Sequence, residues 1–404
     1  MVLKAAISII VLAALLPFLY DSLQRFSIII RNAPGRLATI NNLKSYEIKF
    51  EETVRSCEDG LLVESQGLAI LSCDPGREKW NTVLGIFLPG PVPGAEIYAY
   101  SYKDVDAPDS ESLKRFEILD YQPGADFHTL GMAYDERMST LFVANHRHDG
   151  ATIEIFTLDL VAFTAKHLRT IQHPLLHGPN AITLVNSHEL LVTNDHYFLI
   201  KDSRILATLE TYLGVPLATV VHVDISSLLE DPTGHVDANI VARLPFANGI
   251  SFLNETTVAV VSTSKTAVYI YDISKLDTST VSTPTLTYKS MIKLPYFVDN
   301  IHVSKDGALF VAGHPHPPTM GKYAISRHEC NSSGDLAAAD PSVQEHCRKV
   351  QSSSWVSKWT EAGGIEHLYA GTEYPTSCTA AYDSERKVGI VTGLYAKGIL
   401  VWRE

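Results

Sequence analysis

A short module recurs along the 404 residues of this chain. It opens on a small or polar residue, enters an apolar strand, turns, and ends a second apolar run on a polar pair. Leu130-Gly131-Met132-Ala133 leads to Leu141-Phe142-Val143-Ala144-Asn145-His146, and Asn180-Ala181-Ile182-Thr183 leads to Leu190–Asp195. Asn248-Gly249-Ile250-Ser251 leads to Thr257–Ser262, and Asp299-Asn300-Ile301-His302 to Ala308–His314. Weaker copies at Gln66–Leu71 and at Cys378–Ala381 with Val388–Thr392 bring the count to six. Intervals of roughly fifty to eighty residues leave room for about four short strands each, the size of a propeller blade. Between copies, runs such as Thr152–Phe156 and Ala267–Tyr271 alternate or are β-branched, and long amphipathic helical patterns are absent. The sequence therefore predicts an all-β fold, a six-bladed β-propeller, whose closure removes exposed sheet edges. A solenoid or a pair of β-sandwiches is the alternative.

Lys4 is followed by a nearly unbroken apolar run from Ala5 to Tyr20, the pattern of a signal peptide or short membrane anchor. Bulky residues from Leu15 to Tyr20 stand where a signal peptidase requires small ones, so residues 1–22 read as an uncleaved, helical signal-anchor. Pro17 and the lack of a polar face argue against a core helix. Residues 23–50, with the turn Asn32-Ala33-Pro34-Gly35, read as a lead-in, and residues 51–404 as the propeller. The sequons Asn254-Glu255-Thr256 and Asn331-Ser332-Ser333 fit a membrane-anchored or secreted glycoprotein. Five cysteines leave one unpaired if the others bridge, and Cys330 and Cys347 bracket a polar loop that a disulfide closes. No C-x-x-C or Cys/His cluster has zinc spacing, so a structural zinc is not expected. The net charge of −12 and the lack of Lys/Arg runs exclude a phosphate-tracking nucleic-acid binder. Cys73 to Ala95 shows no regular pattern and reads as an access loop.

In a propeller the innermost strands line a central channel, so residues at one module position gather around the axis. That position holds Leu130, Asn180, Asn248 and Asp299, with Asn300 adjacent. Buried amides and carboxylates are costly unless satisfied, and converging oxygens suit a hard cation. Calcium, which takes six to eight oxygens at about 2.3–2.6 Å, is the expected cofactor. Glu58-Asp59 precedes the first module and closes the ring from the N-terminal side. The competing reading makes these residues turn caps between strands.

Ser56-Cys57-Glu58-Asp59, Val143-Ala144-Asn145-His146, Thr193-Asn194-Asp195-His196-Tyr197-Phe198, Phe246-Ala247-Asn248-Gly249-Ile250 and Val298-Asp299-Asn300-Ile301 resemble the signature segments of the paraoxonase/arylesterase family. They fall in order between about residues 56 and 315. The resemblance implies a six-bladed calcium-binding propeller with lactonase and arylesterase activity and a retained hydrophobic N-terminus. It implies that Glu58, Asn180, Asn248, Asp299 and Asn300 hold the catalytic calcium and that His146 is the second member of a histidine dyad. Asp59, helped by the carbonyl of Met132, corresponds to a second, structural calcium, although an aspartate of that site is replaced here by Ala181. The first dyad histidine matches Leu130, which cannot move a proton. His128, two residues earlier, shares a face with position 130 in an extended segment and is the candidate substitute; the alternative is an ordinary surface or loop histidine. The family's disulfide between the chain ends has no counterpart, because Val401–Glu404 lacks cysteine, so strand pairing must close the ring.

The expected activity is calcium-dependent hydrolysis of a small-molecule lactone or aryl ester, with the metal polarising the carbonyl for attack by an activated water. No G-x-S-x-G elbow occurs. His146 and His128 are the catalytic candidates, with Glu58 or Asp299 as alternative bases. Two other functions compete. One is a non-enzymatic calcium-stabilised propeller that binds a ligand or protein; the other is an enzyme of the gluconolactonase or strictosidine-synthase-like kind.

Overall fold

Runs of β-branched and aromatic residues cut by frequent turns cannot build long strands, and they pair with their sequence neighbours into small antiparallel sheets. The computed structural model describes residue 16 and residues 20–122, 126–231, 234–274 and 283–404. Among the described residues, six sheets hold four or five strands each and a seventh holds two. Each larger sheet has one edge strand facing inward: Cys57–Val63, Thr129–Asp135, Pro179–Leu184, Ala247–Asn254, Phe297–Val303 and Ser377–Asp383. Each of these contacts the next, and the last contacts the first, so the six inner strands form a closed circuit.

Four of the modules predicted from sequence start on these inner strands, and so does the weak copy at Cys378. The weak copy at Gln66–Leu71 does not: Leu68–Cys73 is the second strand of its sheet, and the inner one is Cys57–Val63. The misreading has a physical cause. Leu68–Cys73 is buried at every residue and looks like a module start, whereas the true inner strand opens on the charged pair Glu58-Asp59.

The core lies between neighbouring sheets. Phe142, Ile153 and Ile155 pack against Ile182, Leu190 and Val221 of the next sheet, and Phe310 stacks on Tyr382, which stacks on Trp402. Burying such a side chain contributes about 1.5–3 kcal/mol, so each sheet is held by its neighbours rather than by itself. Ser45–Lys49 pairs antiparallel with Ile399–Arg403, and Ile40–Asn41 pairs with the strand Gly364–Gly371. Residues from the expected lead-in thus complete two sheets, and the first of these pairings joins an N-terminal strand to the last strand of the chain.

Residues 20–31 are helical. Arg25 binds Asp21 at 2.7 Å and the Tyr212 carbonyl at 3.0 Å, which docks this helix on the helix Arg204–Leu213. The expected anchor lies largely outside the described residues, among which no helix is long and apolar enough to cross a membrane. Cys57–Cys73 joins the first two strands of one sheet, Cys330–Cys347 forms as expected, and Cys378 is free and buried. The segment between Cys330 and Cys347 is helical over Ser333–Ala338 and Pro341–Lys349 rather than a loop. Of the sequon asparagines, Asn254 is exposed, while Asn331 donates to Glu78 at 2.7 Å.

Candidate metal centre and channel

All six inner strands lose register with the second strand near their start. The irregularities fall at Glu58, Leu130-Gly131, Asn180-Ala181, Asn248-Gly249, Asp299-Asn300 and Cys378-Thr379. A bulge frees a residue from the ladder and re-aims its side chain. The residue directly after the last regular pair is Glu58, Leu130, Asn180, Asn248, Asp299 or Cys378, and all six are buried. The strands approach closely here: a Cβ on Gly131 would lie 2.6 Å from the Asn180 carbonyl oxygen, and one on Gly249 would lie 2.7 Å from Asn300 Cα. Glycine is required at both positions.

The ring is cross-linked by its own amides. Asn248 Nδ2 donates to Asp299 Oδ1 at 2.7 Å, Asn300 Nδ2 donates to Glu58 Oε1 at 2.9 Å, and His314 Nε2 meets Asp299 Oδ2 at 2.8 Å. Glu58 Oε2, Asn180 Oδ1 and Asn248 Oδ1 are buried without a hydrogen-bond partner. An orphaned buried acceptor costs about 1–3 kcal/mol, so three in one ring favour an occupant there, an ion or a water. A hard cation with oxygen ligands fits them, and calcium fits the flexible geometry of such a set. Burial, with the charges of Asp59 and Asp299, holds the Glu58 carboxyl well above its usual range against the opposing effects of Arg77 and Asn300. A dication bound there would relieve this crowding.

Asp59, beside Glu58, is not among the orphaned set. Its Oδ1 accepts from the Gly60 N–H at 2.8 Å and Thr379 Oγ1 at 3.1 Å, and its Oδ2 accepts from the Met132 N–H at 2.8 Å. Met132 offers Asp59 its N–H, both Asp59 oxygens already have protein donors, and Ala181 adds no ligand. Unlike the ring, this cluster presents no orphaned oxygen that points to a second cation.

Two cavities lie near the ring, which reaches one of them through Leu130. One is lined by Thr82, His146, His177, Asp195 and Lys201, and the adjoining one by Asp74, Arg77, Trp80, His128, Leu130 and His146. His146 faces both from the end of the strand Thr140–Arg147. Its Nε2 donates to the Pro179 carbonyl at 2.8 Å, which leaves Nδ1 to accept from the Thr82 hydroxyl. Burial lowers its pKa against the pull of Asp195, so the ring is neutral. Leu130 is an apolar wall packed with the core between two sheets. His128 is buried, with Nδ1 3.2 Å from Asp74 and Nε2 3.0 Å from Asp126. A histidine clamped by two carboxylates is no ordinary loop residue.

Sequence reasoning missed Arg77, Trp80 and Thr82, which come from the segment Cys73 to Ala95. That segment is ordered by a 3-10 turn, Pro75–Glu78, and by the paired strands Trp80–Asn81 and Ile86–Phe87. Its only sequence signal was composition, since a long insertion between strands carrying Asp74, Arg77 and Trp80 is suited to function.

A family model described as Arylesterase matches residues 102–347. The chain belongs to the paraoxonase/arylesterase family. This arylesterase-family chain is 26% identical over 321 residues to serum paraoxonase/lactonase 3 of Oryctolagus cuniculus, covering 77% of this chain and 80% of that one. It is 31% identical over 179 residues to serum paraoxonase/arylesterase 2 of Gallus gallus, covering 43% and 45%, and 30% identical over 188 residues to the Homo sapiens protein of that name, covering 45% and 47%. The match thus spans about half the length of the chicken and human relatives. Among solved structures, a luciferin-regenerating enzyme has the same overall fold, with a TM-score of 0.50 at 12% identity over 89% of this chain and 95% of that one.

Proposed function

We propose that this chain is a calcium-dependent hydrolase of lactones or aryl esters built on a six-bladed propeller. The observation that carries the reading is the trio of orphaned oxygens on Glu58, Asn180 and Asn248, buried in one ring with Asp299. Glu58, Asn180, Asn248, Asp299 and Asn300 are the residues that hold the ion. When bound, calcium polarises an ester carbonyl and stabilises the negative charge that develops on its oxygen.

The protein supplies the proton path. The Thr82 hydroxyl passes its proton to His146 Nδ1 and takes one from a water in the cavity. The resulting hydroxide attacks the carbonyl carbon, the ester C–O bond breaks, and the proton returns from His146 through Thr82 to the departing alkoxide. The Pro179 carbonyl fixes the tautomer that leaves Nδ1 free to accept. Leu130 offers an apolar wall to the alkyl or aryl part of the substrate. His128, clamped between Asp74 and Asp126, takes no part in this path.

Location in the secretory pathway and association with a membrane belong to the same proposal. The helix at 20–31 exposes Leu23 and Phe26, the docked helix Arg204–Leu213 exposes Ile205 and Tyr212, and such faces suit a lipid surface. A non-enzymatic, calcium-stabilised binding module is the second reading, favoured by Leu130 at the ring position where the family resemblance implies a histidine. Purified protein assayed on aliphatic lactones and aryl esters, with and without EGTA, separates the two. Hydrolysis that is lost in EGTA and in Asp299→Ala supports the enzyme. Calcium-dependent melting with no turnover on any substrate supports the binding module, and a melting curve indifferent to EGTA removes calcium from both.

A further inference from the structure

Asp126, His128 and His148 are brought together from two places. Asp126 and His128 lead into the inner strand Thr129–Asp135, and His148 occupies the turn between the strands Thr140–Arg147 and Gly150–Asp159. We propose that these three side chains form a second metal site, for a divalent transition ion of the zinc type, distinct from the oxygen ring.

The geometry has the parts such a site needs. His128 Nε2 lies 3.0 Å from Asp126 Oδ1 and His148 Nδ1 lies 2.7 Å from Asp126 Oδ2, with the donor atoms within 4.8 Å of one another. Bonds of about 2.0–2.2 Å to a tetrahedral ion set its ligands roughly 3–3.5 Å apart, so a small adjustment admits the ion. Behind His128, the buried Asp74 meets Nδ1 at 3.2 Å. A carboxylate on the far nitrogen of a ligating histidine fixes the tautomer and aims the other lone pair at the metal. Trp80 stacks on His148 at 3.7 Å between ring centroids and holds its plane. Asp126 is itself anchored: its carbonyl accepts from Asn145 Nδ2 at 3.0 Å, and its carboxylate accepts the His148 backbone N–H.

Chemistry separates this site from the ring. Two imidazoles and one carboxylate suit zinc-type ions, whereas the all-oxygen ring suits calcium. With neutral imidazoles, Asp74 and Asp126 carry two negative charges that a dication balances, and Arg77, in the same cavity, is turned to the Thr129 carbonyl. Three protein ligands leave a fourth position open. The His148 side chain is 49% exposed, so solvent reaches the site from that side and a water would complete the coordination. Search by cysteine spacing is blind to the site, because no cysteine takes part and nineteen residues separate the histidines.

The proposal does not rest on the hydrolase reading, and its test does not use turnover. Full-length, calcium-saturated protein is titrated with Zn²⁺ by calorimetry and with Co²⁺ by visible absorption. The expected result is one zinc bound beyond the calcium and Co²⁺ bands typical of four-coordination. His148→Ala should abolish both, and Asp74→Asn should weaken zinc by about 10–100-fold. Both variants should retain the wild-type far-ultraviolet circular dichroism and a single cooperative melting transition, which shows that they are folded. Absence of saturable zinc in the wild type overturns the site, as does zinc binding in His148→Ala equal to wild type. Zinc displaced by excess calcium, with His148→Ala unaffected, would place the ion in the ring and also refute the proposal.

Discussion

Replacing Asn180 by leucine separates a cation ring from an ordinary buried polar ring, because the two predict opposite signs. Asn180 is 3% exposed and its Oδ1 has no partner. Without metal, that orphan costs about 1–3 kcal/mol, and leucine, branched at the same Cγ, needs no partner. In EGTA, Asn180→Leu should therefore be as stable as wild type or more stable by up to that amount. With calcium at about 1,000 times its dissociation constant, mass action stabilises the wild type by about 4 kcal/mol. If losing one ligand weakens affinity about 100-fold, the variant's calcium increment falls by about 2.7 kcal/mol at the same calcium concentration. The assay is urea unfolding followed by fluorescence of the four tryptophans, in EGTA and in calcium. Asn180→Asp, which keeps an oxygen, should retain most of the increment. A variant that loses stability in EGTA yet keeps the full calcium increment would refute the ring as a cation site.

Three further outcomes follow from the structure. His146→Gln and Thr82→Val should each lower ester hydrolysis by about 10²–10⁴ without changing the calcium-dependent melting shift, and full turnover in His146→Gln would remove the relay. Burial depresses the His302 pKa from 6.5 to about 4, so the native ring stays neutral while the unfolded chain protonates as pH falls through 6.5. Its contribution is intact above that pH and is lost towards pH 4. Between pH 7 and 5 the loss is at most about 2 kcal/mol, an upper bound because the residue as a whole is partly exposed although its Nε2 is buried, and His302→Gln should flatten the unfolding free energy by up to that amount. Equal pH slopes in the two proteins would contradict it. Cys73→Ser opens the disulfide that spans 16 residues and should cost about 3 kcal/mol. Because Cys57 adjoins Glu58, calcium affinity measured by calorimetry should fall as well.

Much of this protein was legible along the chain because blade repeats impose the same local burial at each copy. Asn180, Asn248 and Asp299 stand at one module position in the sequence, and the bulges of their strands bring them to one ring. Local pattern did not reveal that Cys57–Val63 is the first inner strand, since its charged start resembles a turn until the neighbouring strands enclose it. Nor did it show Asp59 accepting the Met132 N–H, because that bond joins residues 73 apart in sequence. Arg77, Trp80 and Thr82 lie in a segment without periodicity, and the cavity walls they meet come from other sheets. Asp126, His128 and His148 converge only when a hairpin turn folds over the start of an inner strand. Periodicity records which side of a strand is buried; which groups meet at the ends of strands is decided by contacts between segments, and only the closed circuit of sheets supplies those.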